Sequence, residues 1–152
     1  MKPAVDGPAA QLDFPNAHLL ELRVRTEDID DYDHVNNAVY LTWLDRIAWS
    51  HSAALGVPLA QCLTLRRGMA AQRVEIDYQR PALAGDVVLG ATWIVRADGR
   101  LRAERRFQIW RPADGRTLAR ARVDYVCINL DSGRAARMPE AFARAYVVTT
   151  RG

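Results

Sequence analysis

Asp28-Ile29-Asp30-Asp31-Tyr32-Asp33-His34-Val35-Asn36-Asn37-Ala38-Val39-Tyr40 runs from an acidic loop directly into a helix. The first half carries too many carboxylates for a core element. From Asn37 to Leu55 the pattern is helical: Tyr40, Leu44, Ile47, Ala48, His51, Ala54 and Leu55 share one wide face. Asn36 or Asn37 is placed to cap the start. Gly56 stands where a left-handed terminal residue belongs, and Pro58 prevents continuation.

The chain on either side of this helix reads differently. Residues 1–18 hold Pro3, Pro8 and Pro15 with little periodicity and are expected to form a mobile leader. Leu20, Leu22 and Val24 then alternate with charged residues, as in a half-exposed strand. Beyond the helix a loop is expected through Arg66-Arg67-Gly68. After it the period becomes two, with Val74, Ile76 and Tyr78 alternating with Arg73, Glu75 and Asp77, until Pro81. Three longer strands follow over 86–97, 100–111 and 116–130, then a short helix after Pro139. The order β-α-β-β-β-β predicts an α+β domain over 19–147, with 148–152 as a tail. One long helix wrapped by one curved five-stranded antiparallel sheet buries both apolar faces. The hotdog, cystatin-like and cone-shaped folds share this order, and periodicity does not separate them.

Hairpin arithmetic gives registers. A two-residue Asp98-Gly99 turn places Ile94 opposite Ala103 and Thr92 opposite Arg105. A bulged Ala113-Asp114-Gly115 turn places Phe107 opposite Ala121 and Ile109 opposite Ala119. Arg105 then falls on the apolar parity, a misfit that requires an internal partner or a place beyond the core edge. The second face of the third strand holds Val87, Leu89, Ala91, Trp93 and Val95. In a single chain this stripe would face water, so it predicts an interface.

Of 152 residues 49% are apolar and 26% charged, ordinary for a globular domain. No apolar run is long enough to span a membrane, and the first residues do not form a signal peptide. Cys62 and Cys127 match no metal or redox spacing and read as reduced thiols of a cytoplasmic protein. The net charge of +3 is carried by scattered arginines, which does not indicate a nucleic-acid surface. No nucleophile elbow, zinc-protease, P-loop or dinucleotide motif is present. His18, His34 and His51 have no metal spacing, and His51 reads as a satisfied core histidine.

The acidic loop has two readings. Carboxylates beside a helix start compensate its dipole and cap its N–H groups. Alternatively, one carboxylate is a nucleophile or base facing a carbonyl held on those N–H groups.

The quoted block resembles the D-x-D-x-x-x-H-V-N-N-x-x-Y signature of hotdog-fold acyl-CoA thioesterases, in particular the 4-hydroxybenzoyl-CoA thioesterase-like group. Val74 to Ala82 with Gly85-Asp86, and Val123 to Asn129, resemble that family's later strands. The resemblance covers about residues 20 to 140 and implies a hotdog thioester hydrolase. It implies that Asp30 is the catalytic carboxylate, that the backbone N–H near Asn37 polarises the thioester carbonyl, and that His34 stands near the reaction. Plant acyl-carrier-protein thioesterases with a similar block carry Asn where this chain has Tyr32. Tyr40, Trp43 and Ile47 are candidate acyl-pocket residues. Arg66, Arg67 and Arg80 are candidates for the phosphates of CoA. The expected substrate is a small acyl-CoA or acyl-carrier-protein thioester, with no cofactor, no metal, no nucleic acid and no membrane. Hotdog subunits pair, so a homo-oligomer is expected, a dimer or tetramer with Trp93 against another subunit. The alternative function is an acyl-CoA-binding hotdog module without turnover.

Overall fold

Asn36 starts the long helix: its side-chain oxygen accepts the Ala38 N–H at 2.9 Å. The helix, α1, spans Asn37–Ala54. It ends where Gly56 takes φ +93° and the Val57 N–H returns to the Ser52 carbonyl at 2.8 Å. The computed structural model describes residues 11–151. Around α1 curves one antiparallel sheet of β1 (His18–Arg23), β2 (Arg67–Tyr78), β3 (Val87–Ala97), β4 (Arg102–Arg111) and β5 (Arg116–Asn129), ordered β1-β3-β4-β5-β2. This is the hotdog arrangement.

The helix is seated at one small residue. A side chain at Gly90 on β3 would collide with Ile47 of α1, so glycine permits the close approach. Leu22, Leu44, Ile47, Val88, Phe107 and Ile109 form the core there. A second cluster holds Val57, Cys62, Ile94, Cys127, Phe142 and Tyr146 beneath α2 (Leu59–Leu65) and α3 (Glu140–Ala145). Both cysteines are free and buried. Burial pushes both thiols up.

Several expectations need correction. Helix α2 and the first residues of β2 occupy the segment read as a loop through Arg66-Arg67-Gly68. The Asp98-Gly99 turn is longer than two residues. Asp98 accepts the N–H groups of Arg100, Leu101 and Arg102 through one carboxylate oxygen, and its own N–H reaches the Arg102 carbonyl. The register therefore slips by two: Ile94 faces Arg105 and Thr92 faces Phe107. An even slip leaves every side chain on its expected face. The β4–β5 register, with Phe107 opposite Ala121 and Ile109 opposite Ala119, is as expected.

The outer stripe is not exposed. Trp93 has 0% of its surface exposed within one chain. Leu12, Phe14, Ala17 and Leu19 cover Leu89, Ala91, Trp93 and Trp110, with the Phe14 and Trp93 rings edge-on at 5.4 Å. The side chain of Gln108 accepts the Asp13 N–H at 3.0 Å and donates to the Gln11 carbonyl at 3.1 Å. Residues 11–17, assigned to the leader, are thus a packed strap, and His18 already belongs to β1. The leader's residues 1–10 lie outside the described residues. The tail is also tied down, since Thr149 exchanges hydrogen bonds with the backbone of Ile94.

Candidate active site

The acidic loop is a tight hairpin laid against the helix start. Ile29 pairs with Val35, and the Asp30 N–H donates to the His34 carbonyl at 2.8 Å. The turn closes through the Asp33 N–H on the Asp30 carbonyl at 3.1 Å, with Asp33 left-handed at φ +60°. Aspartate tolerates that conformation better than most side chains. Asp30 is half-buried, and its carboxylate accepts the Tyr32 N–H at 2.9 Å. One carboxylate oxygen is thereby oriented by the loop itself.

Asp28 is the loop's structural partner. It is buried, its carboxylate accepts the Arg25 N–H at 2.8 Å, and its carbonyl accepts the Asn36 N–H at 2.8 Å. These bonds fix the loop to the residue that caps α1. Among the described residues the exposed Asn37 N–H has no hydrogen-bond partner. It is a first-turn donor at the positive end of the helix dipole, suited to a developing oxyanion.

The structure brings only some of the predicted residues together. Val35 donates its N–H to the Ala82 carbonyl at 2.9 Å, and His34 pairs with Leu83, so the segment after β2 closes on the loop. Arg80 and His34, both exposed, therefore belong to this end of the molecule. Arg66 and Arg67 do not. They stand at the opposite end of β2 from Tyr78, where Arg66 pairs with Asp131 at 2.8 Å. At about 3.3 Å per residue this is a separation of roughly 35 Å along the strand. Ile47 and Tyr40 are core positions: Ile47 rests on Gly90, and the buried Tyr40 hydroxyl accepts the Ala82 N–H at 3.3 Å. Burial pushes the Tyr40 phenol up. Trp43 is buried with one edge on an outer cleft.

That cleft, about 660 Å³, lies beside the loop and is lined by Arg23, Arg25, Asp28, Thr42, Trp43 and Arg46 among others. Its three arginines were not singled out by the sequence, because the residues that adjoin Arg46 come from a different element. Tyr78 was also missed. Its hydroxyl donates to the Asn37 carbonyl at 3.0 Å, and its ring meets Tyr40 edge-on at 5.1 Å. Only the register of β2 against β5 brings it there. Among the described residues no cluster of His, Cys, Asp and Glu is placed to hold a metal, and no helix is long and apolar enough to cross a membrane.

Comparison with known proteins agrees with the fold. The chain is 27% identical over 116 residues to the long-chain acyl-CoA thioesterase FadM of Escherichia coli K12, covering 76% of this chain and 86% of that protein. It shares its fold with Slr0204, a 1,4-dihydroxy-2-naphthoyl-CoA thioesterase from Synechocystis, at a TM-score of 0.76 and 23% identity, covering 86% and 95% of the two chains. The Staphylococcus aureus protein SAV2348, solved in complex with CoA, superposes at a TM-score of 0.78 with 19% identity, covering 92% and 84%. The thioesterase-like superfamily model matches residues 24–146, and the chain belongs to that family.

Proposed function

We propose that the protein hydrolyses acyl-CoA thioesters at the corner between the Asp30 loop and the start of α1. What supports this is the unpartnered Asn37 N–H at the helix start to which the loop carrying Asp30 is tied through Asp28, in a chain of a thioesterase family. The thioester oxygen accepts the Asn37 N–H, which lowers the cost of charge developing on it. Asp30 then attacks the carbonyl carbon, expelling the CoA thiolate and leaving an acyl anhydride that water opens, or it deprotonates the attacking water. Either route yields free acid and thiol and needs no further reactant. His34 stands beside this turn and acts on it from the exposed side. In place of Arg66 and Arg67, Arg23, Arg25 and Arg46 of the adjoining cleft take the CoA phosphates, with Arg80 on the other side.

The test is release of free thiol from a panel of acyl-CoA and acyl-carrier-protein thioesters. Asp30→Asn is expected to fold normally and to lose at least about 100-fold in kcat. A folded variant with wild-type turnover excludes Asp30 as the catalytic carboxylate. Binding of the thioesters without thiol release would establish a non-catalytic acyl-CoA module instead.

A further inference from the structure

Arg105 lies in the middle of β4, facing Ile94 on one side and Val123 on the other, and only 2% of it is exposed. A guanidinium so placed has lost its hydration and normally keeps a carboxylate beside it. Among the described residues Arg105 has no acidic partner within ion-pair distance. Its neighbours are neutral. Nη1 meets Nδ1 of His51, and Nη2 donates to Ser52 Oγ at 2.8 Å. The Tyr125 and Tyr146 rings lie 6.0 and 5.8 Å from its central carbon. Burial, with Arg105 adjacent, pushes the His51 imidazole down to about 3, so it is neutral and accepts from the guanidinium. The Tyr125 and Tyr146 hydroxyls are also within hydrogen-bonding reach of the guanidinium, so its partners are several and none of them carries a negative charge.

The guanidinium lines a pocket of about 140 Å³ whose walls include Trp49, Met69, Tyr125 and Tyr146. Asp45 stands in the same pocket but is exposed, so water screens its charge as it does not screen that of Arg105. The pocket is reached along α1. Leu41, Asp45, Trp49 and Ser52 follow each other at three- and four-residue spacing on one side of the helix, and the first three are exposed. At 1.5 Å per residue, Asp45 is about 12 Å and Ser52 about 22 Å from Asn37 along the axis. A chain lying on this stripe with its thioester at Asn37 would bring its far end to Arg105.

We infer that this pocket receives the distal end of the acyl group and that Arg105 selects acyl chains ending in a carboxylate. The inference rests on the proposed thioesterase reading and adds its substrate class. The carboxylate supplies the counter-ion that the fold leaves out, where the neutral partners of Arg105 satisfy its hydrogen bonds but not its charge. The aromatic and methionine walls cover the methylenes before it.

Two measurements test this. The first compares kcat/KM for straight-chain acyl-CoA and ω-carboxyacyl-CoA thioesters of matched length across a range of lengths. The wild type is expected to favour the carboxylated member by at least about tenfold, as for a hydrogen bond to a charged group. Arg105→Met is expected to bring that ratio to about one or below, and Arg105→Lys to restore part of it. The second measures the melting temperature of the wild-type protein with free alkanoates against n-alkanols of matched length. It requires neither turnover nor a folded variant, and only the alkanoates are expected to raise it. A ratio near one in the wild type, or equal stabilisation by acids and alcohols, overturns the inference. Stabilisation by alkanoates with no hydrolysis of any thioester would retain the Arg105 site and reject the thioesterase reading.

Discussion

At the scale of single residues, the loop separates three acids that look alike in the sequence. Asp28 is consumed by the Arg25 backbone, Asp33 supplies a left-handed turn, and one oxygen of Asp30 accepts the Tyr32 N–H. His34 is exposed at the turn's edge. His34→Ala should therefore reduce kcat less than Asp30→Asn does at saturating substrate; equal losses would place the imidazole in the chemical step. His51 has a different consequence. Its folded-state pKa is lowered to about 3 from an ordinary 6.5, chiefly by burial and then by Arg105. Between those values the unfolded chain binds a proton that the folded chain does not, so stability falls as pH drops through 6.5 toward 3. One such group contributes a slope of about 1.4 kcal/mol per pH unit in that window. Urea unfolding of the wild type and His51→Gln at pH 7 and pH 5 checks this, and the difference between them should shrink at pH 5. Much at this scale was legible in the sequence. Asp30, Asn36 and His51 sit in contiguous or periodic patterns that declare their surroundings. Arg105 declared only a conflict, a charge on the apolar parity. Its partners His51 and Ser52 are 54 and 53 positions away and require the fold.

At the scale of elements, helix α1 and the long strands follow from periodicity, because a face buried over 18 helical residues repeats often enough to be read. Helix α2 spans seven residues, and its only buried member is Cys62, so no face repeats. The β3–β4 turn misled for a local reason. Asp98-Gly99 is a two-residue hairpin signal, but the Asp98 side chain caps three successive N–H groups and sustains a wider loop. The packing of α1 on β3 depends on Gly90, where a valine would meet Ile47 and Leu22. Gly90→Val is expected to destabilise the fold by about 1–3 kcal/mol, the usual cost of overpacking, with the loss read from the urea midpoint. Ile47→Ala in the same background should recover part of it, since the methyl group in collision is removed.

At the scale of the whole molecule, the sheet has two edges and an apolar outer stripe on β3 and β4. The stripe is closed within the chain by the strap at 11–17, which alternation could not reveal because the strap has no period of its own. Trp93 is therefore a core residue. Trp93→Glu would bury a charge with no partner and should lower the melting temperature steeply whatever the state of assembly. The edge strand β2 is the better place for a second copy. It is 12 residues long, lies at the end of the sheet order, and exposes Val74 at 40% and Tyr78 at 44% beside Leu41 of α1 at 48%. A long edge with apolar side chains pairs with another strand unless something covers it. Joining two β2 edges in antiparallel fashion continues the sheet and repeats the same contact on both copies. It also sets one copy's Arg66–Arg67 end of β2 beside the other's Tyr78 end, next to the Asp30 loop. Light scattering should find at least a dimer. Val74→Glu should shift it toward monomer, since like charges then face each other across the pairing, while its melting temperature at low concentration stays near that of the wild-type monomer. A monomeric wild type removes the edge contact, and an intact Val74→Glu dimer would move it to another surface.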